Sequence, residues 1–140
     1  MICNKMDKKI SVFVVSSDKK ILLLKTNHEK YNESYLSIIN GSVDDGESFE
    51  DAANREVLEE TGLKLKKLYF SGYSCTYEYP KDNLRTKKVF IGLVKDNSVR
   101  LSDEHEDYKW VDLKEFKTQF SWPDPEEELN KILKKISNLK

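Results

Sequence analysis

The sequence predicts an α+β fold, an α/β/α sandwich in which helices cover a mixed β-sheet. Three observations support it. Short runs rich in β-branched and apolar residues recur at 9–15, 21–25 and 87–94, separated by polar or turn-forming stretches. A strongly punctuated amphipathic helix interrupts them at 49–61, and a second occupies the C-terminal stretch. The length, 140 residues, suits a single domain (1–140) able to bury a core without disulfide staples.

In chain order, 9–15 and 21–25 read as an antiparallel hairpin broken by Ser16-Ser17-Asp18-Lys19-Lys20. The polar stretch 26–33 reads as a loop, and 35–39 as a short apolar run. Gly41 and Gly46 bracket an acidic turn, where glycine permits backbone angles that other residues avoid. Ser48, with Asp51 three positions on, announces a helix through a variant capping box, and Gly62 ends it. Phe49, Ala53 and Val57 form its apolar stripe. A strand region starting near Leu65, Leu68 and Phe70 continues through Tyr79; 80–85 is a turn and 87–94 another strand. Residues 108–111 form a short strand, and Asp112 starts a helix of one to two turns. Asp124 is expected to cap a last helix beginning at Pro125, with Glu127 completing a second capping box. Leu129, Ile132, Leu133 and Ile136 give that helix its apolar face.

Lysine plus arginine number 24 against 25 acids, so net charge leaves no footprint for nucleic acid or a membrane surface. The N-terminal stretch lacks the apolar core of a signal peptide, and the longest apolar runs are too short to span a bilayer. Cys3 and Cys75 form neither a C-x-x-C pair nor a metal-ligand cluster, and two thiols in a lysine-rich chain point to a reducing cytoplasm. The expectation is a soluble cytoplasmic protein, monomer or homodimer, without nucleic-acid or membrane partners.

Charge distribution is more informative than its sum. Between Asp44 and Glu60 stand eight acids and one base, Arg55. Glu56, Glu59 and Glu60 fall at i, i+3 and i+4, so they project from one side of about one helical turn. Like charges at that spacing repel. A solvated acidic face is one explanation; a hard divalent cation with oxygen ligands is the other, and it turns the repulsion into a binding site.

Residues 41–63 contain G-x5-E-x7-R-E-U-x-E-E-x-G-U, with U aliphatic: Gly41, Glu47, Arg55, Glu56, Val57, Glu59, Glu60, Gly62 and Leu63. At roughly 5–10% for each fixed residue, its seven fixed matches arise by chance on the order of once in 10⁸ registers. The segment resembles the signature of the Nudix superfamily. The strand–loop–helix order around it agrees with the Nudix fold.

The resemblance implies Mg²⁺- or Mn²⁺-dependent hydrolysis of a nucleoside diphosphate linked to another group, the substrate being a small-molecule nucleotide or related polyphosphate. General chemistry agrees, because hydrolysis of a diphosphate linkage concentrates charge on oxygens that a metal ion neutralises. By the same resemblance Glu56, Glu59 and Glu60 are metal ligands, joined by the backbone carbonyl near Gly41. Glu56 and Glu59 are then catalytic, Glu56 also orienting or deprotonating water. Arg55, a permanently charged rigid fork, is expected to pair with Glu47 and fix the loop against the helix, a structural role. Asn40-Gly41 replaces the commoner Gly-Gly, and Asp44 stands where Glu is frequent, changes outside the specified positions.

A second segment, Glu104-His105-x-x-Tyr108-x-Trp110, resembles the stretch after the box in asymmetric dinucleoside tetraphosphatases and in dATP or dihydroneopterin triphosphate pyrophosphohydrolases. It makes Glu104 a candidate extra ligand or general base; His105 reads as a hydrogen-bonding surface group. Tyr73, Tyr77 and Tyr79 alternate along a strand and share one face, either lining a base pocket or covering a half-buried sheet. Tyr77, Arg85, Lys88 and Tyr108 are the candidate substrate contacts; Arg85, Lys87 and Lys88 either meet phosphates or keep a loop soluble. The 40–47 stretch and Ser121-Trp122 resemble the triphosphate group, and the Pro-Lys-Gly lead-in common in tetraphosphatases is absent. The expectation is cleavage of a nucleoside-triphosphate-like substrate to monophosphate and pyrophosphate, with a tetraphosphatase as alternative and a non-catalytic nucleotide sensor as a remote one. No EF-hand loop is present.

Overall fold

Strands β1 (Asp7–Val15), from Ile10 onward, and β2 (Ile21–Thr26) carry nearly unbroken apolar runs because both of their faces are covered there. Ile10, Val12 and Val14 of β1 point into one core, and Phe13 and Val15 into the other; Leu22 and Leu24 of β2 face the first, and Ile21 and Leu23 the second. The computed structural model describes residues 6–26 and 36–139. Cys3, Tyr35 and the 27–33 part of the expected loop lie outside them.

The two strands are antiparallel, but they pair only at Val15↔Ile21. The expected hairpin is thus a turn without a ladder. Beyond the turn, β1 pairs antiparallel with β4 (Ile39–Ser42) and parallel with β6 (Leu84–Val94), while β2 pairs with β3 (Leu36–Ser37) and β7 (His105–Val111). β5 (Leu65–Glu78) forms the far edge beside β6. Thr26 is buried in β2, not the first residue of a loop.

Helix α1 (Phe49–Thr61) matches its expected bounds. Ser48 Oγ accepts from Asp51 N at 3.0 Å, and Gly62 closes the helix at φ 73°. Ala52, Ala53 and Val57 bury it against Ile10, Val12, Leu24 and Phe90. On the opposite face, Phe116 of α2 (Leu113–Gln119) and Leu129, Ile132, Leu133 and Ile136 of α3 (Glu126–Ser137) cover Phe13, Val15, Val89 and Ile91. The result is the expected α/β/α sandwich around a mixed sheet.

Three local expectations change. Asp112 caps α2 as foreseen, but Asp124 does not cap α3, which begins after Pro125 with no side-chain cap. Asp124 Oδ2 instead accepts from Lys87 Nζ at 2.7 Å, an ion pair that competes successfully for the carboxylate. Arg85 lies in β6, not in the turn, which is confined to residues 80–83. Gly41 belongs to β4 and only Gly46, at φ 81°, takes the left-handed angle that the acidic turn requires. Among the described residues no helix is long and apolar enough to cross a membrane.

Candidate metal-dependent active site

Arg55 organises the acidic cluster. Its Nε and Nη2 clamp Glu47 at 2.8 and 3.0 Å, and Nη2 also donates to the Ser42 carbonyl at 2.8 Å. Its remaining nitrogen, Nη1, is shared by Glu56 at 2.9 Å and Glu59 at 3.2 Å. One planar fork therefore ties the acidic loop, the end of β4 and two turns of α1 together, as a point charge could not. The guanidinium holds the Glu47 carboxyl down to about 2, chiefly through its hydrogen bonds, and Arg55 itself grips its proton more firmly than usual for the same reason.

Glu56 sits against Gly41. A Cβ on that residue would stand 2.3 Å from Glu56 Cδ, so glycine is needed for space, not for a special backbone angle. Burial raises the Glu56 carboxyl above its ordinary value, outweighing the opposing pull of Arg55, and Glu59 and Glu60 add to the rise. Glu60 is the most buried of the three, at 8% exposed. Its Oε2 accepts from Ser102 Oγ at 2.7 Å and lies 2.9 Å from His105 Nδ1, in a bent approach that leaves that nitrogen without a hydrogen bond among the described residues. Glu60, Glu104, His105 and Asn40 line one small cavity of about 180 Å³. The structure thus brings Glu104 beside Glu60 and leaves His105, which the sequence placed at the surface, half-buried.

A second cleft of about 350 Å³ shares Asn40 with the first, includes Gly41, and is lined further by Lys9, Ser11, Tyr77, Arg85 and Lys87. Of the four candidate substrate contacts, only Tyr77 and Arg85 come together there. Lys88 points to the other face of the sheet, with its ammonium 4.6 Å from the Phe49 ring centre and 5.6 Å from that of Phe70. Tyr108 packs against the α1-side core. Lys9, Ser11 and Ser102 escaped the sequence reading. The alternation of Lys9 and Ser11 with Ile10 and Val12 was the available signal for the first two, whereas nothing local marks Ser102.

Among the described residues no three acidic, histidine or cysteine side chains already converge around one point. What lies between Glu56 and Glu59 is Arg55 Nη1. The donor set nevertheless fits a hard divalent cation: it is all oxygen, and two carboxylates already share one cationic centre. Mg²⁺ asks for little more, since it keeps several waters and takes one or two carboxylates plus substrate phosphates.

A family model described as NUDIX domain matches residues 6–132. The NAD-capped RNA hydrolase NudC of Mannheimia succiniciproducens is 31% identical over 105 residues, 71% of this chain and 37% of that protein, so the match spans little more than a third of the relative's length. The asymmetrical bis(5'-nucleosyl)-tetraphosphatase of Mus musculus is 37% identical over 79 residues, 54% of each. In fold, the E. coli dihydroneopterin triphosphate pyrophosphohydrolase superposes with a TM-score of 0.70 at 21% identity, over 94% of this chain and 96% of that one. A glutamate helix clamped to a glycine-bearing strand by one arginine, in a sandwich of this topology and under a family model covering most of the sequence, has one consistent reading: this chain belongs to the Nudix family of hydrolases.

Proposed function

We propose that the protein is a cytoplasmic, metal-dependent pyrophosphohydrolase that cleaves a phosphoanhydride in a nucleoside-triphosphate-like substrate, giving a monophosphate and pyrophosphate. The observation that carries this reading is the convergence of Glu56 and Glu59 on one cationic nitrogen beside Gly41. Glu56, Glu59 and the Gly41 carbonyl would hold Mg²⁺ or Mn²⁺, with Glu60 contributing from the adjoining cavity. Once bound, such an ion would neutralise charge on the phosphoryl oxygens and lower the pKa of water.

The chain's own residues supply the rest. Water adds to one phosphorus, the bridging P–O bond breaks with its electron pair on the departing phosphate, and a carboxylate takes the proton. Glu56, set against Gly41 in the middle of the cluster, is one candidate for that task. Glu104, from the same cavity as Glu60, is the second candidate. Arg55 and Glu47 position the helix without touching the reacting atoms.

A dinucleoside tetraphosphatase is the second reading, favoured by the similarity to the mouse enzyme. Product analysis separates the two. The panel would contain (d)NTPs, dihydroneopterin triphosphate, diadenosine tetraphosphate and ADP-ribose, each with and without Mg²⁺. Metal-dependent pyrophosphate release from a triphosphate is expected. ATP plus AMP from the tetraphosphate would select the second reading, and no turnover by folded, metal-binding protein would overturn both.

A further inference from the structure

The cleft on the sheet face opposite α1 has a charge pattern of its own. Its charged wall residues, Lys9, Arg85 and Lys87, are all cations. Lys87 is balanced by Asp124 at 2.7 Å, but among the described residues the other two have no ion pair as short. Lys9 Nζ donates to a neutral group, Ser42 Oγ, at 2.6 Å. Arg85 has Asp7 Oδ2 no closer than 3.9 Å, and its Nε is buried without a hydrogen-bond partner among the described residues. Its guanidinium also lies over the Tyr79 ring, 5.4 Å from the centre, which fixes the plane of the fork. A buried charged donor with no acceptor is costly, and such groups are rare unless something else completes them.

The cleft is also in register with the acidic cluster. Gly41 forms part of its wall and abuts the Glu56 carboxyl. Strand β4 therefore has the Glu56 carboxyl against Gly41 on one face and Lys9, the register partner of Ser42, on the other, with Arg85 two strands away on β6. A chain of phosphates crossing that strand would meet carboxylates at one end and cations at the other.

We infer that Lys9 and Arg85 form an anion subsite for a substrate phosphate other than the two joined by the bond that is cut. The assignment rests on the pyrophosphohydrolase reading and deepens it: it names the residues by which the chain would select a substrate with at least three phosphates in line. Molecules with a single diphosphate bridge, such as nucleotide sugars or ADP-ribose, leave the subsite unfilled and the Arg85 Nε unsatisfied.

The test compares wild type with Arg85→Gln and Lys9→Gln, each first checked for an unchanged far-UV spectrum. Metal-free protein is titrated calorimetrically with inorganic tripolyphosphate and with pyrophosphate, and hydrolysis of dATP and ADP-ribose is followed in Mg²⁺. Wild type should bind tripolyphosphate at least about tenfold more tightly than pyrophosphate, and Arg85→Gln should erase most of that preference, as expected for loss of a charge-assisted hydrogen bond. The ratio of kcat/KM for dATP over ADP-ribose should fall by about tenfold or more in the same variant, through KM. Lys9→Gln should act in the same direction. Equal affinity of wild type for both anions, or an undiminished preference in both variants, overturns the subsite while leaving the enzyme reading intact. Tripolyphosphate preference without turnover of any panel substrate overturns the enzyme reading and keeps the subsite.

Discussion

At the scale of single residues, Arg55 and its partners make the sharpest claims. Glu47 is held at about 2 instead of its ordinary 4.5, so its ion pair favours the folded state wherever the carboxyl would be charged in the unfolded chain. That contribution is present above pH 4.5 and is lost as pH falls through about 2. Glu47→Gln should therefore be less stable than wild type at neutral pH, with the gap closing between those limits; urea titrations across the acid range would show it, and a constant gap would refute it. Glu59 tells a different story, for it is half exposed and its ion pair with Arg55 is set against the like charge of Glu56. Glu59→Gln should keep or slightly raise Tm while lowering kcat by roughly 10²–10³-fold, the scale of losing one element of charge stabilisation. Wild-type turnover at limiting Mg²⁺ would remove Glu59 from the site.

At the scale of elements, legibility followed locality. The bounds of α1 were readable because Ser48, which accepts from the Asp51 N–H, and Gly62, whose N–H donates to the Leu58 carbonyl, act on backbone groups a few residues away. The pairing of β1 was not, because its alternation gives way to an apolar run at 12–15 that assigns no partners, and the turn at 16–20 shows only where the chain reverses. Asp124 was misread for a related reason. Its competitor, Lys87, lies 37 residues away and leaves no trace in the local pattern. The two capping candidates can be told apart by mutation. Asp124→Ala strands a Lys87 ammonium that is 15% exposed and should cost about 3 kcal/mol. Glu127→Ala should stay within about 0.5 kcal/mol, as an exposed residue with no cap to complete. Reversal of that order in denaturant melts would restore the capping box. The box glutamates were visible as a pattern, yet the partial burial of His105 and its approach to Glu60 depend on how β7 returns beside β2, which the sequence does not state.

At the scale of the molecule, β1 and β2 put alternate residues into both cores, so neither core can lose its packing alone. Each core has its own reporter: Trp122 packs against the α3 side, and Trp110 against the α1 side. Single-tryptophan variants, Trp110→Phe and Trp122→Phe, should report unfolding with coincident transitions as the remaining ring leaves its core, as two-state behaviour requires. Separate midpoints would mean that the layers come apart independently.

The shared grip of Arg55 Nη1 on Glu56 and Glu59 has a consequence for the life of the protein between turnovers. A zinc finger stripped of its ion unfolds, since the ion is its framework. Here the side chain already supplies a resident counter-charge, so on the metal-dependent reading proposed above an ion would load into a finished scaffold. Scarcity of divalent ions would then silence the protein without dismantling it, and resupply would restore it without a folding step.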